Sequence, residues 1–341
     1  MRIWAARRWG AVAVVSALLV LVGIASPAAA CACGVIAPQT DATAAFNGER
    51  AIINWDGERQ QIDLTLNMAS DAASAGLIFP TPSPATVTAG DLDRFEHLER
   101  QIAPQAIVVN DWWGFGVPGE TPVTDEPRVL NRVTVGDLEA TTLKASNVSG
   151  LNRWLKANDY SLSSASRESL ATYVSLGWSF VAVKLTASAT LDGALEPIRF
   201  TFDTDELVYP VRASSTASNS QDIRLYIFDD HRVSLNQFER SNRPVNAAQT
   251  VVWAGDVSNS SVSDSGAYLT VFDLHIDNPK TQVRSDIVIV DALADDEVIP
   301  TTVRANPITL LGIPVGLLVV GWLGFGIILL LSYIVGRFRS H

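Results

Sequence analysis

The chain has 341 residues, 48% of them hydrophobic and 18% charged, with a formal net charge of −11. That much apolar content excludes a disordered chain. The acidic balance excludes a nucleic-acid binder, whose phosphate affinity needs clustered Lys and Arg, and two cysteines exclude a disulfide-dense scaffold or a four-thiolate zinc site.

Both ends are apolar. Arg2, Arg7 and Arg8 precede an uncharged run over 9–24, then Pro27 and Ala28-Ala29-Ala30. A basic segment, an apolar segment and small residues in that order read as a secretory signal over 1–30, cleaved after Ala30. Cys31 and Cys33 open the mature chain. In an oxidising compartment they can pair across one residue, a small loop that clamps locally and adds little to stability. Lipidation of Cys31, free thiols, intermolecular pairing and metal binding are the alternatives. The disulfide is the reading carried forward.

Next comes Ala51-Ile52-Ile53-Asn54-Trp55, the turn dipeptide Asp56-Gly57, and Gln61 to Leu66. Strand, turn and strand predict a β-hairpin. Further strands are expected at 75–79, 106–110, 129–135, 138–144, 180–186, 198–202, 223–228, 250–253, 268–274 and 286–290. Three helices are expected. One spans 91–102 with Leu92, Phe95, Leu98 and Ile102 on one face. A second spans 150–157, capped by Ser149, with Leu151, Trp154 and Leu155 inward. A third runs from Ser163 or Ser164 to Leu176 and stops at Gly177. The expected class is α+β, a mostly antiparallel sheet or sandwich with a few short helices. Segments 52–83 and 181–214 each run strand, turn, strand and end in an apolar-apolar-aromatic-Pro step; two similar β units would explain it, and chance competes, because strands ended by Pro are common. A sub-boundary is expected near 145–165.

Residues 307–336 carry no charge, and Arg337 and Arg339 follow. Thirty residues exceed the ~20 that span a bilayer. Asn306 can cap the helix with Pro307 at its first position, while Pro314 kinks the first turns or marks a later start. Gly312 and Gly316 form a Gly-x-x-x-Gly step that Pro314 spoils. The positive-inside rule puts the tail, 337–341, in the cytoplasm and the region 31–305 outside it. Without the five arginines of the two ends, that region keeps 20 basic residues against 36 acidic ones, a formal charge of −16.

An order of blocks then carries a resemblance. It runs from Cys31-Ala32-Cys33-Gly34 through Trp55-Asp56-Gly57 and Phe79-Pro80-Thr81-Pro82. Later come Trp154-Leu155, Gly177-Trp178 with Phe180 to Val183, Leu207-Val208-Tyr209-Pro210 and Asp230-His231-Arg232. The chain resembles an uncharacterised family of bacterial secreted proteins, a domain of unknown function, over about 31–290. Leu77-Ile78-Phe79 departs from it where the family usually shows a Trp. The resemblance implies a cell-surface location and a membrane anchor, and brings no known activity.

The common catalytic signatures are missing: no Gly-x-Ser-x-Gly, Ser-x-x-Lys, His-Glu-x-x-His or phosphate-binding Gly loop occurs. Asp230 and His231 are the nearest catalytic candidates, because a carboxylate beside an imidazole can orient a base. Neighbouring strand residues point to opposite faces, however, so a solvated turn competes. His97 is expected in solvent. The acidic turns 203–206 and 295–297 lack Ca²⁺-loop spacing. Trp112, Trp113 and Phe115 lie in a loop, 111–119, with three Gly and one Pro. They are the binding candidates, through stacking on a sugar or a partner; the alternative is a lid over the core.

The reading is a single-pass cell-surface protein with a non-catalytic extracytoplasmic interaction module. It would meet another envelope protein or a cell-wall glycan, without nucleic acid, cofactor or metal. A hydrolase of envelope material and a redox or structural role of Cys31 and Cys33 are the alternatives.

Overall fold

A computed structural model describes residues 33–38, 44–119, 132–133, 139–143, 148–187, 190–217, 219–236, 248–258 and 266–339. The signal segment, Cys31, the last two residues and most of the strand expected at 129–135 lie outside them.

Strand alternation builds the body. β2 (Ala44–Trp55) and β3 (Arg59–Ser70) form the expected hairpin. Asp56 closes it: Oδ1 accepts the N–H groups of Glu58 at 3.1 Å and Arg59 at 2.7 Å, and Gly57 supplies the positive φ of 95°. This hairpin is the centre of a nine-stranded sheet. On the β2 side it continues through β13 (Gln221–Asp229), β16 (Tyr268–Ile276) and β15 (Ala248–Asp256). The outer edge of β3 is shared. β11 (Ile198–Asp203) and β5 (Thr86–Ala89) add along one half; β10 (Gly193–Leu195) and β7 (Arg132–Val133) add along the other. Only β2–β13 and β10–β7 are parallel in this sheet.

A four-stranded antiparallel sheet runs β1 (Val35–Pro38), β4 (Ser74–Thr81), β9 (Ser179–Thr186), β8 (Glu139–Leu143). A three-stranded sheet, β12 (Val208–Tyr209), β17 (Ile287–Asp291) and β14 (Val233–Asn236), extends the packing. Period-2 alternation sends successive side chains to different layers. Ala51, Ile53, Leu77, Phe79, Val181, Val183, Leu225 and Ile227 meet in the central core. Their neighbours face outward to helices. Ile78, Phe180 and Ala182 pack under Leu151 and Leu155 of α2 (Val148–Ala157) and under Leu170 and Tyr173 of α3 (Ser164–Ser175). On the far face Ile52, Tyr226, Phe228, Trp253 and Val271 pack under Phe95 and Leu98 of α1 (Leu92–Gln101) and under Ile102, which caps its C-terminus. The body is therefore layered helix, sheet, sheet, helix: α+β and mostly antiparallel. With both sheet faces buried, the strands read as near-continuous apolar runs.

The three helices sit where their caps put them, with one difference. Asp91 accepts the N–H of Asp93 and Ser163 that of Ser166, but α2 begins at Val148, so Ser149 lies inside its first turn. The two segments with similar endings take different places. The first runs from the nine-stranded sheet into the four-stranded one; the second starts in the four-stranded sheet and ends in the three-stranded one. The shared apolar-apolar-aromatic-Pro step lies inside β4 in the first, which runs through Pro80 to Thr81, and ends just after β12 in the second.

The C-terminal part departs most from expectation. β18 (Thr301–Pro307) is a strand, parallel to β6 (Gln105–Asp111) over seven register pairs. Pro307 ends that strand, so it does not start the helix. A small hairpin of β19 (Thr309–Leu310) and β20 (Ile313–Pro314) follows. After the one-turn α4 (Pro279–Gln282), the last helix is α5 (Val315–Arg339). The later start marked by Pro314 is the one adopted. Its stretch Val315–Val335 is long and apolar enough to cross a membrane and packs almost nothing.

Candidate functional site

The aromatic loop is organised by one carboxylate. Asp111 ends β6 and is buried. Its Oδ1 accepts the N–H groups of Trp113 at 3.0 Å and Gly114 at 2.8 Å, and its Oδ2 accepts that of Gly116 at 2.8 Å. Burial alone would raise this carboxyl, but the backbone donors Gly116, Gly114, Trp113 and Phe115 outweigh it and hold its pKa below the usual value. Gly114, Gly116 and Gly119 all have positive φ, so the chain can double back on each side of Phe115.

This loop lies against the beginning of α5. Gly316 donates its N–H to the carbonyl of Trp112 at 2.7 Å. A Cβ on Gly316 would stand 2.6 Å from Trp113 Cε3, and one on Gly114 would stand 2.5 Å from Pro314 Cγ. The glycines are what let loop and helix touch. The Gly312 of the sequence step is not helical at all: it turns the β19–β20 hairpin at φ 79°. The rings remain open, with Trp112 51%, Trp113 47% and Phe115 79% exposed. The loop is thus not a lid over the core. Beside it, Leu310, Leu311 and Ile313 are exposed as well, Leu311 at 95%. Leu311 has φ 54°, a left-handed conformation that a branched apolar residue seldom takes.

Asp230 and His231 lie in the turn after β13, both exposed. Their side chains do not form a pair. His231 Nδ1 meets Asp295 Oδ2 at 2.9 Å, and Asp295 Oδ1 accepts the Arg232 N–H at 2.8 Å. That hydrogen bond raises the imidazole pKa and lowers the carboxyl. Asp296 accepts from Arg232 and Tyr268 through its carbonyl, so this acidic turn fastens the β13–β14 turn. His275 makes a similar surface cluster with Asp222 at 2.5 Å and Asp277 at 3.1 Å. His97 is exposed, as expected. No group of three potential metal ligands occurs among the described residues.

The carboxylates that pair across the fold escaped sequence reasoning, because their partners are distant in the chain. Asp63, fully buried, takes a bidentate contact from Arg199 at 2.6 and 2.8 Å and a third bond from Arg94 at 3.1 Å. Arg94 also reaches Asn54 at 3.1 Å. Glu99 receives Arg224 at 3.1 Å and the Tyr226 hydroxyl. Together these lock α1 onto the nine-stranded sheet. Tyr173 of α3 donates to Asp286 at 2.6 Å and accepts the N–H of Ala213 at 3.2 Å; burial first, then the Asp286 charge, pushes its pKa far up. Cys33 is buried in the central core, its N–H donating to Glu49 at 3.3 Å, and Glu49 also accepts the Tyr209 hydroxyl.

Residues 27–289 match a family described as uncharacterised proteins conserved in bacteria, DUF2330. None of the curated proteins matches. Among solved structures, baculovirus P35 is similar at 12% identity and a TM-score of 0.36, over 78% of this chain and 98% of that one. A mutated baculovirus P35 after caspase cleavage is similar at 11% identity and a TM-score of 0.30, over 75% and 100%.

Proposed function

This chain belongs to the DUF2330 family of uncharacterised bacterial proteins, and from that premise we propose a single-pass membrane-anchored protein whose body works outside the cytoplasm as a non-catalytic interaction module. The observation that carries this reading is α5, an uninterrupted apolar helix that follows the β6–β18 ribbon and the β19–β20 hairpin and ends in Arg337 and Arg339. Basic residues at one end favour a cytoplasmic tail. A body at −16 suits an aqueous, exposed setting. Its paired carboxylates hold elements together: Asp63 and Glu99 fix α1, and Asp286 fixes α3. The partner class is an envelope protein or a cell-wall glycan. A disulfide between Cys31 and Cys33 is the proposed state of the two thiols, and mass spectrometry with and without thiol alkylation tests it.

Protease treatment of intact spheroplasts tests the topology. With a tag after His341, the body is expected to be digested and the tag protected. A digested tag with a protected body overturns the reading. Mass measurement of the detergent-extracted complex tests the interaction role: a chain that always runs alone counts against it.

A further inference from the structure

We propose that the aromatic loop and the leucine hairpin together form a collar that binds phospholipid, seated at the boundary of headgroups and acyl chains in the leaflet facing the body. The proposal rests on the reading of α5 as a membrane anchor.

Position is the first argument. The Gly316 N–H bond to Trp112 and the packing of Trp113 over Gly316 fix the loop at the second residue of α5. If α5 enters the bilayer there, the indoles cannot be far from its surface. The second argument is residue type. Trp has an apolar body and a polar N–H, and concentrates at membrane interfaces for that reason. Phe115 is too exposed to have been placed for the core.

The third argument comes from a different element. Leu311 and Gly312 both have positive φ at the tip of a tight hairpin. A water-facing hairpin of this kind favours Asn, Asp or Gly at the first position, where the side chain is strained and exposed. Leucine there pays twice in water and only once in lipid. Charge supplies the fourth. Residues 112–119 and 305–336 contain no ionisable side chain but Tyr333, and the Asp111 carboxylate is taken up by the loop's own N–H groups. The collar is neutral, and the acidic body is repelled by anionic lipid. Binding is therefore apolar, satisfied by zwitterionic phosphatidylcholine and insensitive to salt.

The test uses the full chain in phosphatidylcholine nanodiscs, with and without bromine high on the acyl chains, read by tryptophan fluorescence. Wild type, Trp322→Phe, and Trp322→Phe with Trp112→Phe and Trp113→Phe are compared. Phe keeps the packing and removes the reporter. Trp322 reports the anchor, so quenching should fall from wild type to the first variant. It should fall again to the second, equally at low and high salt. No second fall overturns the collar and leaves the anchor standing; no first fall overturns the anchor. An emission shift with peptidoglycan fragments, without quenching by brominated lipid, makes the loop a glycan site and overturns the collar.

Discussion

Ile52, Phe79 and Tyr226 are fully buried between layers of the body, whereas Trp112, Phe115 and Leu311, near the start of α5, are left open. The same kinds of side chain are used in opposite ways. In the body they exclude water, and the buried Asp63 among them is paired with two arginines. Around the start of α5 the backbone is satisfied while the side chains face outward, with Asp111 serving loop N–H groups. Apolar exposure gathered around the start of α5 is the mark of an interaction surface.

The contrast should break most severely in the body. Asp63→Ala leaves Arg94 and Arg199 without their shared carboxylate in a buried site. Breaking such a site costs about 3–5 kcal/mol, so the urea midpoint should fall sharply in detergent, with the emission of the aromatic loop unchanged before unfolding. Tyr173→Phe removes one buried hydroxyl, but the Asp286 carboxylate keeps the Arg212 N–H at 2.9 Å. The expected loss is roughly 1–3 kcal/mol by the same measurement. Near α5 the sign of the comparison changes. Gly316→Leu pushes a side chain into Trp113 and the Trp112 carbonyl, and should shift tryptophan emission, yet move the body's midpoint by no more than ~0.5 kcal/mol. An equally large midpoint loss would show that the two regions fold as one unit.

The smallest effect concerns the surface. The hydrogen bond that His231 donates to Asp295 raises His231 above 6.5 and lowers Asp295 below 3.8. The stabilisation from the raised imidazole is complete below its unfolded pKa and is lost as pH rises through the folded one. That from the lowered carboxyl is present above its unfolded pKa and is lost as pH falls through the folded one. The pair thus contributes between those limits, and little, since both groups are exposed. NMR titration of Asp295→Asn should return His231 toward 6.5. An unchanged value would give the shift another cause.

Much of the body was legible because its signals are local. Short apolar, β-prone runs such as Leu77-Ile78-Phe79 and Phe180 to Val183 mark strands without any knowledge of partners, and Ser163 and Gly177 bracket α3. The partners themselves were not legible: Arg199 finds Asp63 across 136 positions, and nothing in either segment names the other. The ribbon of β6 and β18 shows how a local signal misleads. Asn306-Pro307 fits a helix start, but Thr301, Thr302 and Val303 are β-branched and find β6 about two hundred residues back. For the aromatic loop the residue types were legible and the surroundings were not, since its contact with Gly316 depends on that same distant pairing.

The ribbon has a mechanical meaning. A single extended strand between body and helix would be a string, free to swing. Two strands bonded over seven positions, at about 3.3 Å per residue, make a strut on the order of 20 Å long. Ile308 bonds back to Asp111 at 3.0 Å and Gln105 to Pro300 at 2.9 Å, so the strut is tied at both ends. A sideways push on the body would then arrive at α5 as torque, and body and helix would tilt together.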